Sequence, residues 1–167
     1  MRLHLYFNDV EYELSPIHQG DGAALILIMS DEKTRRFLPQ LCNLFELING
    51  FPILICSFEK YLDDRTGFLL GIRHDYDLLG FIAVMDIPQC PSIFNAMHPK
   101  YRGKGIMKAC VKEVLNYLST NNMGTFVQTH VSPNNTASVA LLSDLGFVLS
   151  ERNAEDGKDI YVWNFNL

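Results

Sequence analysis

Apolar and polar residues alternate at period two over residues 3–7 and again over 10–14, on either side of Asn8-Asp9. That pattern predicts a short N-terminal hairpin, or one bent strand, ending at Ser15-Pro16. The period then lengthens. Asp21 stands where it can cap a short helix running to Met29, and Ser30, Asp31 and Glu32 open a second that must finish before Pro39. Residues 40–49 form a further apolar-rich helical segment closed by Gly50, and 57–64 continue in helical style after the apolar run 51–56. From Gly67 the period returns to two. Residues 68–72 and 78–85 read as strands joined across residues 74–77, and 93–97 as a third after a turn between Pro88 and Pro91. An antiparallel meander is the natural result.

Beyond the meander, Ile106, Met107, Cys110, Val111, Val114, Leu115 and Leu118 recur at three- and four-residue steps, with Lys108, Lys112, Glu113 and Asn116 on the other side. This is the stripe of a helix packed on a sheet. Residues 125–131 then form a strand reached through that crossover helix, so strands 93–97 and 125–131 should lie side by side and parallel. A ligand belongs at the carboxyl ends of such strands. Asn134 or Asn135 caps the next helix, Gly146 allows a left-handed turn at its end, and residues 147–150 and 160–165 pair as a terminal hairpin across 153–157.

At 167 residues the chain suits one domain burying about two-thirds of its unfolded surface. Apolar residues are 48% and charged residues 20%, the balance of a globular protein. The apolar runs 23–29 and 51–56 fall far short of the ~20 residues a bilayer span needs. No secretory leader is evident at the N-terminus, so a cytoplasmic location and no membrane partner are expected. The cysteines at 42, 56, 90 and 110 form no CxxC pair and have no histidine at ligand spacing. They read as reduced, and no metal site is expected.

Charge changes the picture at one place. The net charge is -5, yet Lys100, Arg102, Lys104 and Lys108 crowd one short stretch, His98 to Lys108. Gly103 and Gly105 flank Lys104 there, so the backbone can turn sharply and approach a ligand closely. The helix that follows has first amides without carbonyl partners, roughly half a positive charge aimed at whatever sits in the turn. An anion fits that description. A solvated basic loop is the plainer alternative, and the GxxxxGK[ST] spacing of a nucleotide P-loop is absent. Nucleic-acid binding is disfavoured, because it needs a broad basic face and the chain as a whole is acidic.

The stretch HPKYRGKGIMKACVKEVLNYL and the later THVSPNNTASVALLSDLGF together resemble the GNAT superfamily of acyl-CoA N-acyltransferases. The first is similar to its R-x-x-G-x-(G/A) coenzyme A motif, with Arg102 and Gly105 at the first two fixed positions and Met107 at the third. The second resembles the strand, Asn-led helix and Leu-Gly-Phe ending that follow. The GIM of the first, with Asn135, Ser138 and Leu145-Gly146-Phe147 of the second, is nearest the branch that acetylates ribosomal-protein N-termini. The match is close in the C-terminal part and loose in the N-terminal half.

The resemblance implies an α/β (α+β) fold: a mixed, mainly antiparallel sheet whose two central parallel strands splay apart, with helices on both faces. It implies acetyl-CoA as co-substrate, held by Met97 and His98 at the strand end, by Arg102, Gly103, Lys104, Gly105, Ile106 and Met107 in the turn, and by Asn135. Backbone amides near Met97 would face the thioester carbonyl, and the N-terminal helices would line the acceptor side. Many members carry a Tyr as proton donor in the helix before Leu-Gly-Phe; Leu142 fills that place here. The ribosomal-protein branch has a Ser instead, and Ser138 stands at its position as the candidate catalytic donor to the thiolate. Satisfying a backbone carbonyl is the structural alternative for that hydroxyl.

Acyl transfer to an amine also needs a neutral nucleophile, and no obvious base appears. The branch often has a Glu where Ser92 stands. Asp86, Glu59 and Glu151 are weak candidates, His98 reads as a loop residue and His130 as a strand-edge residue. The expected partner is an amine-bearing substrate, best a peptide or protein α-amino group, with a small-molecule amine or a catalytically weak acyl-CoA-binding protein as alternatives. A monomer and a homodimer are equally compatible with the sequence.

Overall fold

The computed structural model describes residues 1–47 and 66–165. The helix expected over 57–64, the run 51–56, Cys56, Glu59, Asp63 and Asp64 lie outside the described residues.

Strands β1 (Leu3–Phe7) and β2 (Val10–Pro16) pair antiparallel around Asn8 and Asp9. Both turn residues have positive φ, 51° and 60°, the two-residue geometry whose twist matches a hairpin. Of the two N-terminal readings, the hairpin is therefore the one observed. Strand β2 ends at Pro16, as expected, with Ser15 and Pro16 still paired to β3 (Phe68–His74), Pro16 opposite Leu70. Pro is accommodated because it is the last residue of the strand, where no further ladder donor is needed. β3 pairs with β4 (Asp77–Met85), and β4 with β5 (Ser92–Met97), all antiparallel.

After β5 the chain crosses over through a helix (Ile106–Thr120) to β6 (Phe126–Val131), which lies parallel to β5. β7 (Val148–Glu151) and β8 (Asp159–Asn164) form the expected C-terminal hairpin. The eight strands run in the order β1-β2-β3-β4-β5-β6-β8-β7, so β8 inserts antiparallel between β6 and β7. The result is a mixed, mainly antiparallel sheet with a single parallel pair.

Helices cover both faces. On one lie α1 (Gly22–Ser30), α2 (Glu32–Phe37) and α3 (Pro39–Leu47), where Leu25, Ile28, Met29 and Cys42 pack against Phe81, Ala83 and Ala96. On the other lies α4, the crossover helix Ile106–Thr120, which buries Ile106, Cys110, Val111, Val114, Leu115 and Leu118 against Ile82, Val84, Ile93 and Val127. The short helix α5 (Thr136–Asp144) shares this face through Leu142. Truncating a side chain such as the fully buried Leu118 to Ala would cost about 2–5 kcal/mol, transfer plus cavity.

Asp21 does not cap α1. It lies in a 3₁₀ turn, makes no capping hydrogen bond to that helix, and turns its buried carboxylate to Arg73 of β3. Arg73 Nη1 and Nη2 donate to its two oxygens at 2.6 Å each, Nε donates to Ser15 Oγ at 3.1 Å, and the His18 amide donates to Asp21 at 2.8 Å. Burial pushes the Asp21 carboxyl up, but the Arg73 guanidinium and the His18 amide outweigh it and hold it below the usual carboxylate range. A buried charge pair of this kind is stable only when so fully hydrogen-bonded.

Candidate active site

The site is built where β5 ends. Gly80 and Met97 face each other across β4 and β5, and the His98 amide donates to the Leu79 carbonyl at 2.8 Å. This marks Gly80–Met97 as a non-hydrogen-bonded pair, so the amide and carbonyl of Met97 point away from β4 toward β6. β6 has already parted company there. The two parallel strands pair only at Ser92 and Gln128, where the Gln128 amide donates to the Pro91 carbonyl at 2.8 Å. Past that point a gap opens between them, and the Met97 amide faces it. His98 contributes no free amide; its Nδ1 accepts from Lys100 N–H and its ring rests against Tyr101.

The turn follows at once. Gly103 and Gly105 have φ of 72° and 78°, the left-handed region open to Gly at little cost. A Cβ on Gly103 would meet nothing within 4 Å, whereas one on Gly105 would come 2.9 Å from the Phe7 ring. Gly105 is the N-cap of α4, and no side chain caps that end. The amides of Ile106, Met107 and Lys108 thus lack intrahelical acceptors and lie beside an open turn. This arrangement fits a pyrophosphate: uncapped donors, a positive helix end and Lys104 nearby, its Nζ 5.4 Å from the Tyr101 ring. Lys108 is paired with Asp144 at 2.8 Å.

The Arg102 side chain folds back from the turn. Nε donates to the Met97 carbonyl at 2.9 Å, and Nη2 donates to Asp31 Oδ2 at 2.6 Å and Thr34 Oγ1 at 2.9 Å. Asp31 also caps α2, accepting from the Thr34 amide at 3.0 Å. Burial pushes the Asp31 carboxyl up, but Arg102 and Thr34 outweigh it and leave it below the usual range. Arg102 therefore ties the strand end and the turn to the α1–α2 corner on the opposite face. Spacing alone identifies the Arg but not its partner, seventy-one positions away.

Asn135, not Asn134, caps α5: its side-chain oxygen accepts from the Ser138 amide at 3.3 Å. Ser138 is half-buried in the first turn, and among the described residues its hydroxyl makes no hydrogen bond, so it is not engaged by a backbone carbonyl. Leu142, at the position of the family's Tyr, is buried in the core. Asp86 sits in the β4–β5 turn at the far end of β5, about 17 Å of strand from Met97, and Glu151 is exposed at the end of β7. Asp86 is thus not brought to the gap. Cys110 is fully buried and its thiol is pushed up to about 12, by burial first and Glu113 second. No group of side chains able to hold a metal occurs among the described residues, and no helix among them is long and apolar enough to cross a membrane.

The model of the acetyltransferase (GNAT) family matches residues 38–147. The chain belongs to that family. It is therefore an acyl-CoA-dependent acetyltransferase in class, and its mixed sheet with one splayed parallel pair is the GNAT fold. Among solved structures it is similar to RimL, a ribosomal L7/L12 α-N-protein acetyltransferase in complex with coenzyme A, at 15% identity and a TM-score of 0.79 over 98% of both chains. Mycobacterium smegmatis RimJ, in complex with a CoA disulfide, is 17% identical with a TM-score of 0.75, over 98% of this chain and 86% of that one. A spermidine N-acetyltransferase from Vibrio cholerae with coenzyme A and spermine is 16% identical with a TM-score of 0.71, over 92% and 95%. These likenesses establish the fold. No curated protein sequence matches the chain.

Proposed function

We propose that the protein transfers an acetyl group from acetyl-CoA to the α-amino group of a peptide or protein by direct attack in a ternary complex. The observation that carries the donor half is the uncapped N-terminus of α4, opened by Gly103 and Gly105 beside the gap that the Met97 amide faces. The pyrophosphate would lie on the amides of residues 105–108, with Asn135 and His98 flanking the path to the gap. The Met97 amide would stabilise charge developing on the thioester oxygen, where a fixed donor is most effective. Ser138, its hydroxyl uncommitted among the described residues, would donate to the departing sulfur.

Acid–base chemistry favours an α-amine as acceptor. An α-amine with pKa ~8 is about a tenth neutral at pH 7, and a lysine near 10.4 less than about a thousandth, a gap of roughly 3 kcal/mol. The folds it resembles include an enzyme of protein α-amines and one of a polyamine, so a small primary amine is the second reading. The C-terminal hairpin loop, with Glu155 exposed, would draw a cationic substrate of either kind. The test is to offer acetyl-CoA with an unblocked peptide, its N-terminally blocked lysine-containing twin, and a polyamine, and to follow thiol release. The expected result is preference for the unblocked peptide; equal rates with the blocked peptide, or acetylation of the polyamine alone, overturn the assignment.

A further inference from the structure

The proton of the attacking amine needs a destination, and one pair of residues outside the turn can receive it. His130 is the fifth residue of β6, two positions past Gln128, where β6 leaves β5. Along β6 the neighbours Val127, Thr129 and Val131 are buried, and Val127 and Val131 belong to the core under α4. Strand alternation therefore places His130 on the opposite face, the face of α1 to α3. It is a strand-edge residue, but not an idle one. Its Nδ1 lies 3.2 Å from Asp156 Oδ2, in the loop between β7 and β8.

That loop is built to present the carboxylate. The Lys158 amide donates to Asp156 Oδ1 at 3.1 Å and Lys158 Nζ lies 3.4 Å from Oδ2. Burial pushes the Asp156 carboxyl up, but the Lys158 amide, His130 and the Lys158 ammonium outweigh it and keep it ionised. A carboxylate can only accept, so it selects the histidine tautomer with the proton on Nδ1 and leaves the Nε2 lone pair free. The face matters as much as the pair. On the α4 face, Ile93, Met97, Val127 and Val131 belong to the core, so in the proposed complex the amine would reach a thioester held beside Met97 from the face that carries His130, next to the α1–α3 cluster that holds Ala96.

We infer that His130, oriented by Asp156, is the general base of this enzyme and accepts a proton from the acceptor amine. The inference rests on the acetyl transfer proposed above. In the step, the amine nitrogen forms its bond to the thioester carbonyl carbon, the C–S bond breaks with its electron pair going to sulfur, and the N–H proton passes to His130 Nε2. The thiolate gains a proton from Ser138 or water, and the imidazolium returns its proton through solvent. Acetyl-CoA and the amine become an amide and free thiol with nothing left over.

The test uses His130→Gln, Asp156→Asn and His130→Ala in the full chain, with acetyl-CoA and whichever amine the wild type accepts. Both ring and carboxylate are more than a third exposed, so the variants should fold, and their thermal midpoints should still rise with acetyl-CoA as the wild type's does. His130→Gln should lower kcat about a hundredfold, in the range of positioned proton transfer, and Asp156→Asn about tenfold. Added imidazole should restore part of the rate to His130→Ala, and the losses should shrink for an amine of lower pKa. Wild-type kcat in His130→Gln, or no rescue by imidazole in a His130→Ala protein that still binds acetyl-CoA, overturns the assignment. Failure of the wild type itself to release thiol with any amine would instead overturn the proposed function, and the base with it.

Discussion

Replacing Arg102 by Ala separates two readings of the same residue. If the guanidinium is a phosphate ligand, the loss falls on acetyl-CoA binding alone; if it is the tie between β5, the turn and α2, the loss falls first on stability. The geometry favours the tie. One charge-assisted bond to Asp31 at 2.6 Å and two neutral acceptors at 2.9 Å, in side chains 29% and 18% exposed, amount to about 2–3 kcal/mol after allowance for solvent. For a chain of this size that is a fall in thermal midpoint of roughly 4–12 °C. Asp31→Asn isolates the charge, since Asn caps a helix as well as Asp does, and the double mutant should fall short of additivity by about 1 kcal/mol or more. The pH dependence has a definite sign. The folded Asp31 carboxyl lies below its ordinary value, so its contribution is complete above pH ~4 and disappears as pH falls further. The gap between wild type and Arg102→Ala should close in acid. Thermal denaturation with and without acetyl-CoA is the assay. Unchanged stability together with an abolished acetyl-CoA shift in Arg102→Ala, and no effect of Asp31→Asn, would refute the tie.

Other expectations concern separate parts of the molecule. Arg73→Ala strands the buried Asp21 carboxylate and should cost about 3–5 kcal/mol, whereas Arg73→Ala with Asp21→Ala should recover part of the loss; chemical denaturation measures both. In the turn, Gly103→Ala should cost about 1–2 kcal/mol for its left-handed φ alone, and Gly105→Ala more, because its methyl would press on the Phe7 ring. Gly105→Glu should also erase the acetyl-CoA shift by setting a carboxylate beside the helix end. Ser138→Ala should lower kcat while leaving acetyl-CoA affinity near wild type, a split that steady-state kinetics with binding measurements will reveal.

Much of this architecture was legible in the chain because the signals were local. The stripe from Ile106 to Leu118, the unbroken apolar run over residues 78–85 and the pair Gly103/Gly105 each specify their own conformation, and the crossover from β5 to β6 follows from chain order. What escaped depends on distant partners. Asp21 has the look of a helix cap, but Arg73 claims it from fifty-two positions away. Arg102 sits at a motif position that suggests a phosphate, and nothing near it in sequence reveals its bond to Asp31. His130 reads as a strand-edge residue, and nothing near it in sequence reveals that the β7–β8 loop brings Asp156 to its ring. The insertion of β8 between β6 and β7 was hidden for the same reason, since alternation fixes a strand's faces but not its neighbours.

The claim on which all else depends is that the turn at Gly103–Gly105 and the gap beside Met97 hold an acyl-CoA. The thermal midpoint of the purified chain, measured with and without acetyl-CoA at about a hundred times its dissociation constant, tests it directly. Binding to the folded state alone adds about 2.7 kcal/mol, a rise of roughly 5–11 °C for a protein of this size. That rise, lost in Gly105→Glu, is the result predicted; a midpoint that does not move with saturating acetyl-CoA would contradict the account.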